Sequence, residues 1–263
     1  MRPVLSIALT TIGEAIRRKV LLIILLIGVL FVAIAPGLSV LSARQERTVL
    51  IGMTLGIIQL TSAVIALVLT VYLIPNEIER RTIYTILCKP VQRWQFLVGK
   101  YLGAVGALGL MMSLMTLVLV VMFAIYQKES DISALAQLAK PPLMNFVQMS
   151  LLAAVAIAFS TFVAPLVNFF LSGGTFLVGT LFSPFFKSLE ENQGTPEITK
   201  LVSKMISFLL PNFAQYNVQN PIINPGQAIQ NETQYYIGAT GYGLFYIAIM
   251  LIVGILVFDR REV

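Results

Sequence analysis

The sequence predicts an all-α membrane protein with six transmembrane helices, and its composition leads directly to this prediction. Of the 263 residues, 57% are hydrophobic and only 11% are charged, and the mean hydropathy is +0.87. A soluble domain carries about 25% charged residues, so this chain has more apolar surface than a globule of its size can bury. We therefore expect its solvent to be lipid, and we expect residues 1–263 to form a single transmembrane domain.

Uncharged stretches of the chain give the number of membrane spans. A helix needs roughly 20 apolar residues to cross a bilayer. Four stretches provide one span each, and a fifth is long enough for two spans with a break expected near Pro165 and Asn168. The segment 205–213 is too short to cross, and we expect it to be interfacial or buried. The five uncharged stretches are residues 20–41, 49–76, 101–127, 141–186 and 237–258.

The first residues, 1–19, predict a separate helix that lies along the membrane surface. Leu5, Leu9, Ile12 and Ile16 recur at helical spacing, with polar residues on the other faces. This periodicity is typical of an amphipathic interfacial helix. The alternative is that these residues only extend the start of the first span.

The loop after the second span concentrates charge in an otherwise apolar chain. Asn76, with Glu79 three positions later, has the spacing of a capping box, and Pro90 disfavours helical geometry in the residue before it. The pattern predicts a short helix over 77–88 with mixed charges, including Arg80 and Arg81. Basic loop residues commonly act as topology anchors, whereas a charged helix is also suited to docking against another protein.

The distribution of Lys and Arg predicts that both termini and residues 77–100 face the cytoplasm. This orientation places eleven of the 18 basic residues inside and seven outside, and three of those seven lie in the long loop 187–236. Long loops contribute little to orientation, so the bias over short segments is eleven to four. We therefore expect a multi-pass protein of the inner (plasma) membrane, with an extracytoplasmic loop at 187–236.

The residue inventory excludes several classes of chemistry. The sequence has no histidine and one cysteine, Cys88, which excludes His-based zinc or haem sites, His-dependent catalytic triads and an internal disulfide. The pair Gly99-Lys100 is followed by Tyr101 and lacks the remainder of a P-loop. We therefore predict no catalytic residue, bound cofactor or metal in this chain, and no nucleic-acid partner despite the net charge of +6.

Glycine and amide residues within the predicted spans indicate how the helices contact one another. Glycines at three- and four-residue spacing favour close helix packing, although flexible gating is the functional alternative. The amide side chains are expected to form interhelical hydrogen bonds rather than to bind a ligand. These residues are Gly99, Gly103, Gly106 and Gly109, and the amides Gln59, Gln148 and Asn168.

Six short motifs follow one another along the chain: Glu77-Ile-Glu-Arg-Arg-Thr82, Leu87-Cys-Lys-Pro90, Arg93, Gly99-Lys100, Leu210-Pro-Asn-Phe213 and Phe258-Asp-Arg-Arg-Glu262. In this order they resemble the motifs in transmembrane subunits of ABC type-2 exporters. The resemblance is nearest to the permeases of the nitrous-oxide-reductase maturation type. One departure is Arg81, where many members have glycine.

This resemblance implies a permease subunit that moves an unidentified cargo, in the direction of export, with energy from a separate ABC ATP-binding subunit. ATP and Mg²⁺ would then be bound by that partner, and a second permease copy would complete a homodimer. The long loop would cover the outer mouth or meet an extracytoplasmic partner. The alternative is a non-transporting scaffold of an envelope assembly complex. The residues implied to bind the ATPase are Glu77, Glu79, Arg80, Arg81, Thr82, Arg93 and Lys100.

Overall fold

The protein is helical throughout the part of the chain that the structure describes. The computed structural model describes residues 2–39, 46–79, 92–126, 132–182, 185, 188–189, 196–217 and 231–260. The principal helices in these ranges are α1 (Arg2–Arg17), α2 (Lys19–Ser39), α3 (Glu46–Val71), α4 (Pro75–Glu79), α5 (Arg93–Tyr126), α6 (Ile132–Ser160), α7 (Pro165–Leu181), α8 (Glu197–Leu209), the 3-10 helix η1 (Ala214–Asn217) and α9 (Glu232–Arg260).

Five of these helices are long and apolar enough to cross a membrane, and they coincide with five of the predicted spans. The break predicted inside the stretch 141–186 is also confirmed, because α6 ends at Ser160 and α7 begins at Pro165. The helix α7 has 17 residues, which is about 25 Å, compared with about 30 Å for the hydrocarbon core. The count of six is therefore not confirmed. The five spans are Lys19–Gly37, Thr48–Glu77, Arg93–Ile125, Gln137–Ser160 and Thr233–Arg260.

The centre of the bundle is α6, which contacts α3, α5, α7 and α9. Every residue from Leu151 to Ala158 is buried, and five of the eight are alanine or valine. Small side chains let the neighbouring helices approach closely. In contrast, large apolar side chains on the outside are exposed, such as Leu26, Leu117 and Leu244. This exposed apolar exterior is what a membrane-spanning bundle presents to lipid.

The N-terminal residues form a helix of their own, as one of the two interpretations of the sequence predicted. It ends at Arg17, and the first span begins at Lys19. The side of α1 that faces the protein differs from the predicted apolar stripe, because Ala8, Thr11 and Ala15 are buried while Leu5 and Leu9 are more than 60% exposed. Leu5, Leu9 and Ile16 therefore face outward, where lipid would surround them, whereas Ile12 packs against the core.

The helix α1 packs against the start of α5 through glycines. A methyl group placed on Gly103 would lie 2.7 Å from the Ala8 carbonyl oxygen, and one on Gly99 would lie 3.1 Å from the Val4 carbonyl oxygen. These distances leave no room for a side chain, so the two backbones are in direct contact. The packing function predicted for these glycines is confirmed.

The segment after the second span differs from its prediction at its beginning. A turn over residues 72–74 leads into α4, which begins at Pro75. Asn76 therefore lies inside the first turn, where its N–H donates to the Tyr72 carbonyl (3.2 Å), and the prediction that Asn76 caps the helix is wrong. Proline explains the earlier start, because its fixed φ and missing N–H suit the first helical position. Residues 80–91 lie outside the described residues.

Candidate functional site

A buried lysine joins three helices at one end of the bundle. Lys100 is on α5, its side chain is 4% exposed, and its Nζ lies 2.7 Å from Glu77 Oε1. The same Nζ lies 3.7 Å from Glu14 Oε2, on α1. A buried ammonium group is stable only when it is paired and hydrogen-bonded, so the position of Lys100 depends on these carboxylates. We call Glu14, Glu77 and Lys100 the charge cluster.

Helical spacing explains how α5 places Lys100 in the interior. Residues 93, 96, 97 and 100 share one face of a helix, and Phe96, Leu97 and Lys100 are all buried. The aliphatic stem of Lys100 can follow this apolar face while its ammonium group reaches the carboxylates. The ammonium group also lies 5.9 Å from the centre of the Phe96 ring, close enough for a cation–π contact.

One face of α5 also holds the end of the last span. Arg93 Nη1 donates to the carbonyl oxygens of Phe258 (3.0 Å) and Asp259 (3.2 Å), near the end of α9. The last carbonyls of a helix lack partners within the helix, and a cation there also interacts favourably with the helix dipole. Phe258 is 1% exposed. Its ring stacks on that of Phe96, with 6.1 Å between the ring centres, and the centre of the Phe258 ring lies 5.9 Å from the Arg93 guanidinium carbon.

The predicted site residues divide into three groups. Glu77, Arg93 and Lys100 make contacts within the chain, and the first and last of them pair with each other. Glu79 lies in α4. The predicted residues Arg80, Arg81 and Thr82 lie outside the described residues.

Sequence reasoning did not identify Glu14 as part of this site. A signal for it was present, because Glu14 is the only acidic residue among the first 45. A single carboxylate indicates a partner cation, but the sequence also offers nearer cations in Arg17 and Arg18, three and four positions away. No feature of the sequence relates Glu14 to Lys100, which is 86 positions further along the chain.

The amide residues in the spans form interhelical hydrogen bonds, as predicted. Gln59 Nε2 donates to Gln148 Oε1 (3.3 Å), and Gln148 Nε2 donates to the carbonyl oxygen of Phe213 (2.9 Å). Asn168 Nδ2 donates to the Ala156 carbonyl oxygen (2.9 Å). These bonds connect α3, α6, α7 and the segment before η1.

The segment Leu210–Phe213, predicted as part of an outer loop, is packed into the bundle. The Phe213 N–H donates to the Gly179 carbonyl oxygen (3.1 Å), and Phe213 is 0% exposed. A methyl group on Gly179 would lie 2.6 Å from the Pro211 carbonyl oxygen, so glycine is required for this approach. The end of the stretch 205–213 is therefore buried, which is one of the two alternatives predicted for this stretch.

A small cavity lies beside this segment, between α3, α6 and η1. Its lining includes Gln59, Pro142, Asn145 and Tyr216, and its volume is about 20 Å³. A water molecule needs about 10–15 Å³ on the same measure, so the cavity is the size of one water molecule in this conformation. Within the described part of the chain, Asn145 Oδ1 has no hydrogen-bond partner. The cavity is too small to hold a transported molecule.

The described residues contain no group of three or more His, Cys, Asp or Glu side chains that could hold a metal ion. The charge cluster joins a cation to two carboxylates, and it lies where α1, α4 and α5 meet. Such an arrangement is suited to holding helices in a fixed relation.

Comparison with known protein families identifies the chain. The family described as ABC-2 family transporter protein matches residues 5–263, which is nearly the whole sequence. A comparison with curated proteins finds no match. Proteins of the matched family form the membrane component of a transporter, and ATP is hydrolysed by another subunit. Together with the five apolar helices of spanning length, this match shows that the chain belongs to the ABC-2 family of transporter proteins and is a multi-pass membrane protein.

Proposed function

We propose that this chain is the permease subunit of an ATP-driven exporter in the bacterial inner membrane, with residues 77–100 docking on a separate ATP-binding subunit. The observation that carries the proposal is the ion pair between Glu77 and Lys100 (2.7 Å). These two residues begin and end the segment that resembles the coupling segment of ABC type-2 permeases. Since the pair holds the two ends together, a push on the segment would move α3 and α5 as one unit.

The contacts around the segment support a division of roles. Glu79, Arg80, Arg81 and Thr82 are proposed to contact the ATPase, with mixed charge that sets the register of docking. Glu77 and Lys100 are proposed to transmit motion from inside the protein, because the lysine is buried and paired.

The last span would receive the same motion through Arg93. This residue leads out of the segment into α5, and its guanidinium group binds the end of α9. The helix α1 would follow as well, because it is fixed to α5 through Gly103 and through the pair of Glu14 with Lys100. A displacement at one docking site would therefore reach four helices.

The docking role can be tested by charge reversal. The tagged chain is purified from its native membranes, and the proteins that accompany it are identified by mass spectrometry. We expect an ATP-binding subunit to co-purify, and we expect the double variant Arg80→Glu/Arg81→Glu to lose it or to uncouple ATP hydrolysis from transport. The matched control is Arg44→Glu/Arg47→Glu, which makes the same change of charge at the start of the second span, on the side expected to face away from the ATPase. If no ATP-binding subunit accompanies the wild-type chain, the alternative of a membrane scaffold is favoured.

We also propose six spans with both termini in the cytoplasm, so that α7 crosses as the fifth span. Its 17 residues are at the lower limit of about 17–25 for a spanning helix, and an even number of spans is needed to return the chain to the same side. In a Cys88→Ser background, Thr199→Cys should react with an impermeant maleimide from outside intact cells, whereas Thr85→Cys should react only after lysis. Labelling of Thr85→Cys in intact cells would contradict the orientation, and protection of Thr199→Cys would contradict the sixth span.

The functional unit is proposed to be a homodimer of this chain. The exposed apolar surfaces of α2, α5 and α9 offer area for a second copy as well as for lipid. Mass measurement of the purified complex in detergent should give two permease copies. A single copy, without a related permease, would contradict the dimer.

A further inference from the structure

The helix α8 has its amphipathic pattern reversed with respect to the protein. Ser203 is 2% exposed, while Ile198 is 79% and Met205 is 64% exposed. Leu201 and Val202 are also exposed, and the spacing 198, 201, 202 and 205 places all four apolar side chains on one face. The protein-facing side of α8 therefore holds a small polar residue, and its outward side is apolar. We call residues 198, 201, 202 and 205 the outward stripe.

An outward-facing apolar stripe is unfavourable in water, because a helix in water normally turns its apolar stripe towards the core and its polar residues outward. The outward stripe is instead what an interfacial helix presents to acyl chains. Lys200 and Lys204 lie four positions apart along one flank of α8, and Lys204 is exposed. Lysines beside a buried apolar face reach towards lipid headgroups.

The position of α8 in the fold brings it close to the end of a membrane helix. Four residues after its last residue, Phe213 is anchored to Gly179 of α7 by a backbone hydrogen bond of 3.1 Å. Four residues span at most about 14 Å, so α8 ends within that distance of the last turn of α7. At that end of α7, Leu181 and Phe182 are exposed. The C-terminal end of α8 therefore lies near exposed apolar residues at the end of α7.

We propose that α8 lies on the membrane surface, with the outward stripe among the acyl chains and with Lys200 and Lys204 binding the phosphates of anionic lipids. The occupant of this face is lipid, and neither a second copy nor a partner protein is needed to cover it. The flank carries two lysines and one exposed acid, Glu197, and this net positive charge supports the choice, since anionic headgroups are the complementary surface. This inference does not depend on the ATP-binding partner.

The test places a fluorescent label on each side of α8 in the full-length protein. In a Cys88→Ser background, Met205→Cys and Thr199→Cys are labelled with an environment-sensitive dye and reconstituted in nanodiscs of phosphatidylcholine and phosphatidylglycerol. We expect nitroxide groups on the lipid acyl chains to quench the label at 205 more strongly than the label at 199. Val202→Cys is a second site on the outward stripe, for use if Met205→Cys fails to fold. The proposal is overturned if quenching at 205 and 202 is no stronger than at 199. That result would mean that water, a second copy or another protein covers the outward stripe.

A second arm tests the lysines. With the nitroxide at the same acyl carbon, labelled phosphatidylglycerol should quench position 205 more than labelled phosphatidylcholine does, by up to about fivefold per lysine. The variant Lys200→Gln/Lys204→Gln should lose this preference, and the control Lys200→Arg/Lys204→Arg should keep it. An unchanged preference in the glutamine variant would overturn the headgroup assignment, even if acyl-chain quenching persists.

Discussion

Replacing Lys100 or its partner Glu77 should destabilise the protein to different extents. Lys100→Met removes the buried cation and leaves two carboxylates, of which Glu77 is 15% exposed and Glu14 is 53% exposed. Glu77→Leu instead leaves an ammonium group that is 4% exposed, with a single carboxylate oxygen at 3.7 Å. The group left behind is therefore better solvated in the first variant than in the second.

The magnitudes follow from this difference in solvation. Breaking a buried ion pair by removing one partner costs about 3–5 kcal/mol, and Glu77→Leu should fall in that range. Lys100→Met should cost about 2–3 kcal/mol, below the range for a fully buried pair, because water can reach the remaining carboxylates. Glu14→Gln should cost less than about 1 kcal/mol, as expected for a half-exposed ion pair.

The double variant Glu77→Leu/Lys100→Met distinguishes an ion pair from two unrelated side chains. Replacing both partners with apolar residues is often neutral or stabilising compared with a broken pair, so the double variant should be more stable than Glu77→Leu alone. The measurement is unfolding of the purified protein in detergent, followed for the four proteins of the cycle and for Glu14→Gln. Additive effects of the two substitutions, or a Glu77→Leu variant as stable as the wild type, would refute the reasoning from burial and pairing.

Three further substitutions and one control test the packing and polar contacts in the same unfolding assay. Gly103→Ala should destabilise the protein by about 1–3 kcal/mol, because its methyl group would lie 2.7 Å from the Ala8 carbonyl oxygen. The control Gly13→Ala has open space around it and should be neutral or stabilising by up to about 1 kcal/mol. Arg93→Gln should cost about 1.5–3 kcal/mol through its charged hydrogen bonds, and equal stability would mean that the end of α9 is held by other contacts. Gln148→Leu should lower the free energy of unfolding by about 1–3 kcal/mol, because it removes two hydrogen bonds. An unchanged free energy of unfolding would mean that water satisfies the former partners of Gln148.

The membrane class and most of the helices could be predicted from the sequence, because apolar run length is a local property. The break before Pro165 was predictable for the same reason, since proline disfavours helical geometry in the preceding residue. The face of α1 that contacts the rest of the protein could not be predicted. Leu5 and Leu9 form an apolar stripe in the sequence, but in a membrane protein an apolar stripe faces lipid as readily as it faces the core, and the structure buries Ala8 and Thr11 instead.

The candidate site was predicted in part, and the reason lies in sequence separation. Glu77 and Lys100 were identified from motifs, which assign a residue to a segment without giving its partner. The pairing between them depends on the fold of α3, α4 and α5. Arg93 was likewise predicted as a docking residue, whereas its guanidinium group binds carbonyls 165 and 166 positions away in the chain.

In the proposed function, α5 would transmit motion at the charged end of the bundle, and its contacts support this role. Its first 11 residues, 93–103, make three different kinds of contact with three different neighbours. Gly99 and Gly103 give α1 a backbone surface without side chains, Arg93 binds the last carbonyls of α9, and Lys100 pairs with Glu77. The glycine contact depends on shape, whereas the two charged contacts have fixed distances and directions. All three contacts lie within 11 residues of α5. This part of α5 therefore cannot tilt unless its neighbours move with it or a charged contact breaks.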